Sequence, residues 1–578
     1  MIDKITDWVL KFPKTVLIII LLITAFFTFQ IYDNARLETN LDKYKPDDHP
    51  EFIASEKYED LFGINDAVIV AVENDSAPNG VYNPDTLKKI EEISLALEKL
   101  PEIAKGDVNS LATADNIKGS DFGLEVDPFY QEIPDSEEEI KELRENVKEN
   151  KMISGRIIAE DGSSALIMAE LKNGEIDRLE LYQKIQAIVE PYRNSSENIY
   201  IAGQPVVEGT LAHLMPQDMQ QMIPIVIFVI LFVLFLTLHS FKSTILTMLV
   251  VLFSTIWSFG LMSYLGIPIY AVSTMIPVML IALGVADGIH LLSHLNQEIK
   301  AQPGKDKLEL IKDMQQQLWK PVVMTSITTA AGFLSLLTSE VLPIRYFGLF
   351  TAVGVISAMF FSLIMIPAGL KIIGLPNLKV KKDKKKSADK IFFHKLSQFV
   401  REKRKAVIII TIIVTLLAAY GASKIWIDSS MLSKFTEDEE ISKADQFINQ
   451  NFGGTTQLNL IFKAENDDTF KNPEYLKDVW ELQNQLEERE FIGTTYSLND
   501  YLRRINKVMN VDQKEFNRVP DSRDLVAQYL LLYSMSGDPE DLNRLIDYDY
   551  RQLHVQLSLK TDRTQEIKSI IAEIEDFS

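Results

Sequence analysis

Seven stretches of this chain are apolar on every side, while the segments between them alternate polar and apolar positions. The apolar runs lie near 16–29, 222–239, 244–264, 273–295, 321–338, 346–373 and 406–422. Most approach the roughly 20 residues that a helix needs to cross a hydrocarbon layer. The intervening segments carry soluble-domain patterns. Ala67–Glu73 (AVIVAVE) reads as a buried strand, and 83–100 as an amphipathic helix opening on Asn83-Pro84 at its cap and first turn. Ser136 with Glu139 makes a capping box ahead of a charged helix. Residues 155–160 and 164–171 flank Asp161-Gly162, a hairpin signal. A helix near 175–189 and a strand near 199–202 complete a compact α+β pattern.

The predicted organisation follows. Residues 1–31 are a cytoplasmic N-terminus and first span, 32–221 a first α+β domain, and 222–373 a block of five spans. A basic loop, 374–405, precedes a seventh span, 406–422, and a second α+β domain, 423–578. Lys4, Lys11 and Lys14 ahead of the first run resemble a signal-peptide start. Bulky Phe29, Gln30, Ile31 and Tyr32 provide no cleavage site, so this run is expected to remain as a span. The polar stretch 296–320 is expected to connect two spans, with Leu308, Ile311 and Leu318 on a membrane-interface face. Gly348, Ala352, Gly354 and Ala358 supply close-packing positions in the sixth run.

Composition sharpens this. Of 578 residues, 59 are Lys or Arg and 81 are Asp or Glu, a formal charge of −22 that comes largely from 32–221 and 423–578. Such surfaces repel phosphate, which argues against nucleic acid as a partner. With no cysteine, disulfides and thiol chemistry are excluded. Twelve Lys and Arg fall between Lys379 and Lys405. Between two spans, such a run marks the cytoplasmic side and puts both acidic domains on the opposite one.

The candidate chemistry sits in the fourth run, where Asp287, His290 and His294 recur at helical spacing. A carboxylate at the middle of a span costs ~2.5–3.5 kcal/mol on insertion scales, so such residues face a bundle interior or a wet path. Gly284 and Gly288 flank it and admit a close neighbouring helix. Three readings stand: coupling-ion chemistry at Asp287 with His290, a hydrogen bond that only packs helices, or a metal held by Asp287, His290 and His294. Thr325, Ser326, Thr328 and Thr329 open the fifth run; their hydroxyls either support Asp287 or bond their own helix carbonyls. His49, His213, His239, His394 and His554 are scattered singly and are expected to be ordinary surface or interfacial residues. Nucleophile-elbow, phosphate-loop and zinc-protease motifs are missing from the sequence, so neither an enzyme nor a cofactor is expected.

The chain also matches itself. Residues 37–73 lie over 427–463 without a gap, pairing Phe62-Gly63 with Phe452-Gly453. Asn83-Pro84 pairs with Asn472-Pro473, Ser110-Leu111 with Ser497-Leu498, and Pro134-Asp135-Ser136 with Pro520-Asp521-Ser522. The unit is one span, one domain and five spans, and the second copy stops near the equivalent of residue 190. The expectation is a chain truncated before a second five-span block.

Several stretches carry a family resemblance: IYIAGQPVVEGTL (199–211), GVADGIHLL (284–292) and MTSITTAAGFLSLLTSEVLPIRYFGLFTAVGV (324–355). With the repeat, they resemble the resistance–nodulation–division (RND) superfamily, in its MMPL-like or predicted-exporter branch. The five-span block also resembles a sterol-sensing domain. The resemblance implies a polytopic α-helical protein of a cell (inner) membrane, with about seven spans and two extracytoplasmic α+β domains. It implies proton-coupled export of a lipid or other hydrophobic or amphiphilic cargo, with Asp287 as the coupling residue. Membrane lipids, an oligomer and periplasmic partner proteins are the associations it suggests. The alternative is a sterol- or lipid-sensing protein that binds lipid without pumping.

Overall fold

The computed structural model describes residues 2–577 apart from 47, 121–122, 194–195, 303, 376–387, 427 and 429. Lys379 to Lys386 of the basic loop therefore lie outside the described residues. The chain divides into two compact units, Met1–Pro46 with Leu214–Trp426, and Asp47–His213 with Ile427–Ser578.

The first unit is a multi-pass helical bundle. Helices long and apolar enough to cross a membrane are Pro13–Asn34, Gln204–Leu238, Phe241–Tyr264, Ala271–Ala301, Lys307–Thr338, Leu342–Ile373 and Arg404–Ala422. They are called the first to seventh spans below. The third, fourth and sixth form the packed centre, because small residues let their axes approach. A Cβ on Gly354 would lie 2.3 Å from Leu280 Cδ1, and one on Gly369 2.6 Å from Leu246 Cδ1. Polar ties also join spans: Ser258 Oγ of the third donates to the Phe350 carbonyl of the sixth at 2.6 Å, and Trp257 Nε1 of the third to Thr24 Oγ1 of the first at 3.0 Å. No residue of the seventh span is buried among those described.

Two expectations for this unit change. The stretch 296–320 joins the fourth and fifth spans largely as helix, because Ile276–Ala301 and Lys307–Leu334 run into it from either side. Ile311 is buried rather than interfacial, as are Leu310 and Met314. Their apolar face is taken up by protein: Leu310, Ile311 and Met314 share a core with Leu10 of the N-terminal helix Ile2–Lys11. Lys312 pairs with Asp7 of that helix at 2.6 Å. The second-span helix, moreover, starts at Gln204, well before residue 222.

The second unit has two lobes with separate cores. The first lobe orders its antiparallel strands Ile103–Asn109, Ser164–Leu171, Ala67–Glu73, Asn198–Ala202. With helices Pro84–Glu98 and Arg178–Val189 this is the split β-α-β-β-α-β arrangement. Val68, Val70 and Val72 point to those helices and Ile69 and Ala71 to the opposite face, the alternation a pleated strand imposes. Residues 155–160 do not form the expected strand. They fold as turns in which Ile158 bridges Ser154 and Ala165, and Gly162 takes φ +78° at the reversal. The second lobe orders its strands Ile492–Tyr496, Gln552–Leu559, Thr456–Lys463.

Each lobe completes the other. A sheet apolar on both faces needs cover on both, and the second cover on the first sheet is the helix Glu440–Asn451. Its Ala444 and Ile448 pack with Ile69, Leu166 and Ala202. Tyr200 stacks on Phe447 at 4.3 Å, and Arg193 meets Glu440 with two bonds of 2.5 and 2.9 Å. In return, the hairpin of strands Asp115–Ser120 and Gly123–Pro128 places Ile117 and Leu124 in the second lobe's core. Arg544 pairs with Glu170 at 2.7 Å and with Asp107. Phe62 lies against His554, ring centroids 5.3 Å apart.

Candidate functional site

The fourth span is oriented at its start by backbone and aromatic contacts. Ile269–Tyr270 pairs in parallel with Leu37–Glu38, and Tyr270 stacks on Tyr346 with centroids 6.1 Å apart. A single 3-10 turn, Ala271–Met275, leads into the helix Ile276–Ala301, whose Pro277 sits in the first turn where no amide donor is needed.

Two glycines then set the depth of packing. A Cβ on Gly288 would lie 2.4 Å from Thr247 Cγ2, and one on Gly284 would lie 3.2 Å from Val251 Cγ2 and 3.3 Å from Ala358 Cβ. The third and sixth spans thus close on the fourth at the turns either side of Asp287. Asp287 is only 8% exposed. Its Oδ2 accepts a hydrogen bond of 3.1 Å from the hydroxyl of Ser326 in the fifth span, itself buried. Among the described residues, no Lys or Arg forms an ion pair with Asp287.

The four predicted hydroxyls separate. Ser326 reaches Asp287, whereas the other three bond carbonyls of their own helix. Thr325 donates to Pro321 at 2.7 Å, Thr328 to Met324 at 2.9 Å and Thr329 to Thr325 at 2.8 Å. Pro321 lies inside this helix, and proline leaves a helix carbonyl one turn earlier without its amide donor.

The histidines separate as well. His290 is exposed while Leu291 is fully buried. The 100° step of a helix puts these two on opposite sides of Asp287, so the bundle boundary runs between them. His294 lies further along, its Nδ1 4.0 Å from Glu298 Oε1, and Gln317 Nε2 donates to the same oxygen at 3.1 Å. Among the described residues, Asp287, His290 and His294 do not converge into a group able to hold a metal ion. Thr247, Glu298 and Gln317 were not singled out in the sequence. The i, i+4 spacing of His294 and Glu298 was the available signal.

The second unit has a polar cavity of about 520 Å³ between Asn74, Asn83, Lys88, Lys89, Tyr192 and Glu197. Glu197, one of the lining residues, is matched by Lys89 at 2.5 Å and by the Thr86 hydroxyl at 2.9 Å. Those charges satisfy one another, so they tie strand to helix.

Against known families, the MMPL family model matches residues 111–406. A protein of Methanocaldococcus jannaschii named "Putative membrane protein MJ1562" is 24% identical over 377 residues, which is 64% of this chain and 92% of that protein. The family match contains the second to sixth spans and both Asp287 and Ser326.

Proposed function

The chain belongs to the MMPL family of the RND superfamily, and on that premise we propose that it exports a lipid or other hydrophobic or amphiphilic molecule by secondary active transport, with Asp287 carrying the coupling proton. Family membership suggests a membrane lipid transporter or exporter. The observation that carries the finer reading is the Asp287–Ser326 pair, a carboxyl between packed spans that among the described residues accepts from one hydroxyl. Its two protonation states need different surroundings. The acid is satisfied by a single hydroxyl, whereas the anion needs water or further donors. Proton uptake and release would therefore favour different packings of the bundle, which is the condition for alternating access. His290, exposed one turn on along the same helix, is the second residue this reading assigns to coupling.

The same reading puts the basic loop in the cytoplasm and both acidic lobes outside an inner membrane. The run of Lys and Arg before the seventh span supports this orientation. The lobes are read as an internal repeat. In support, strand order is shared between Ile103–Asn109, Ser164–Leu171, Ala67–Glu73 and Ile492–Tyr496, Gln552–Leu559, Thr456–Lys463. Asn83 and Asn472 cap equivalent helices, accepting from the amides of Asp85 and Glu474 at 3.0 and 3.2 Å. Oligomerisation and partner proteins outside the membrane belong to the same proposal.

The test uses proteoliposomes of the full chain with fluorescent phosphatidylethanolamine as probe cargo and an imposed proton gradient. Gradient-dependent delivery of the probe to external albumin, lost with a protonophore and in Asp287→Asn, is the expected result. Delivery in Asp287→Asn with an unchanged protonophore response contradicts the proton role. Saturable lipid binding indifferent to the gradient would favour the sensor instead.

A further inference from the structure

The segment ahead of the seventh span contains a separate amphipathic helix. Ala388–Glu402 is a helix of 15 residues, and only Lys403 separates it from the span Arg404–Ala422. At 100° per residue, Phe392, Phe393, Leu396, Phe399 and Val400 fall within one stripe about 120° wide. All five are exposed, between 45% and 65%. His394, Lys395, Gln398 and Arg401 occupy the remaining arc.

Three aromatic and two aliphatic side chains on one helix, left exposed among the described residues, need an apolar neighbour. Two features identify it. Only Lys403 separates the helix from the seventh span, so its C-terminal end adjoins the edge of the apolar layer which that span is long enough to cross. The charge is complementary too: residues 388–405 hold six Lys or Arg against two Asp or Glu, within a chain of net charge −22. Positive-inside bias accounts for the lysines but not for the aromatic stripe beside them.

We propose that Ala388–Glu402 lies along the headgroup layer and selects anionic phospholipid. Its Phe, Leu and Val stripe enters the acyl boundary, while Lys395 and Arg401 meet phosphate. This anchor needs only the span assignment, and it stands whether or not Asp287 carries a proton.

Because the chain has no cysteine, single-cysteine variants report each face directly. Leu396→Cys and Gln398→Cys in the full chain are labelled with a fluorophore and reconstituted into phosphatidylcholine vesicles with or without phosphatidylglycerol. The expected result is quenching of the Leu396→Cys label by nitroxide lipid and of the Gln398→Cys label by an aqueous quencher. Phosphatidylglycerol should raise the lipid quenching about twofold or more, and Lys395→Gln with Arg401→Gln should remove that increment. Phe399→Cys, on the same stripe, repeats the measurement if Leu396→Cys yields no protein. Equal aqueous quenching at both positions overturns the proposal. So does a stripe shielded from both quenchers, the mark of a protein partner or second copy. Lipid quenching indifferent to phosphatidylglycerol overturns the anionic selection.

Discussion

The hydroxyl of Ser326 donates to the carboxylate of Asp287 across 3.1 Å, joining the fifth span to the fourth inside the packed bundle. Both partners are buried, so the bond is neither solvent-screened nor replaceable by bulk water. Removing it leaves a buried acceptor unmatched, at a cost of ~1–3 kcal/mol. Ser326→Ala should therefore slow gradient-driven transport about tenfold while protonophore sensitivity persists, because Asp287 remains. Ser326→Thr keeps the hydroxyl and should lie between the two. Transport rates in proteoliposomes check this.

The contact of Gly288 with Thr247 makes a second prediction. A methyl at position 288 would arrive 2.4 Å from Thr247 Cγ2, and overpacking of this kind costs ~1–3 kcal/mol. Gly288→Ala should lower the melting temperature of the full chain in detergent. Adding Thr247→Ala, which removes both nearest atoms, should restore much of it. An additive double variant would mean that the third span does not close on the fourth at this turn.

Interlocking of the two lobes can be tested at Ile117. This side chain is 1% exposed and belongs to the first lobe in sequence, yet it lies in the core of the second. Ile117→Ala should destabilise the unit by ~2–5 kcal/mol, the range for a buried aliphatic cut to a methyl. Limited proteolysis should then accelerate in both lobes together. Faster cleavage confined to the hairpin would show that the lobes hold independently.

His554, expected at a surface, is buried and gives a pH dependence with a definite sign. Burial holds its imidazole below the ordinary value of 6.5, with a weaker upward pull from the Arg544 carbonyl 2.8 Å from Nδ1. A group whose pKa is depressed on folding contributes stability that is complete above the unfolded value. That contribution is lost as pH falls through the window beneath it, because the unfolded chain takes up the proton first. Thermal melts of the full chain should therefore decline as pH drops below about 6.5. His554→Gln should decline less steeply over the same window, with the remaining carboxylates common to both proteins.

Much of the membrane unit was legible because its signal is one-dimensional. A carboxylate within an unbroken apolar run must be buried or functional, and Asp287 required no knowledge of its neighbours to be found. The choice of Ser326 over Thr325, Thr328 and Thr329 was not legible, since it depends on the rotation of the fifth span against the fourth. Ile311 was misjudged for a related reason: its stripe was seen correctly, but whether protein or lipid covers a stripe is a tertiary matter. The exchange between lobes lay further out of reach. The strands Asp115–Ser120 and Gly123–Pro128 are short and polar, and their core contacts lie nearly 400 residues along the chain, at Tyr501, Leu502 and Val508. The stripe of Ala388–Glu402 was hidden in the other direction, because the adjacent lysines drew the segment into a single basic loop.

The central claim is that Asp287 gains and loses a proton inside the membrane, and infrared difference spectroscopy of the full chain in lipid nanodiscs across a pH titration tests it most directly. The account predicts a protonated-carboxyl stretching band that titrates in the native protein, shifts in frequency in Ser326→Ala and is missing in Asp287→Asn. Superimposable titrations of the native protein and Asp287→Asn would contradict it.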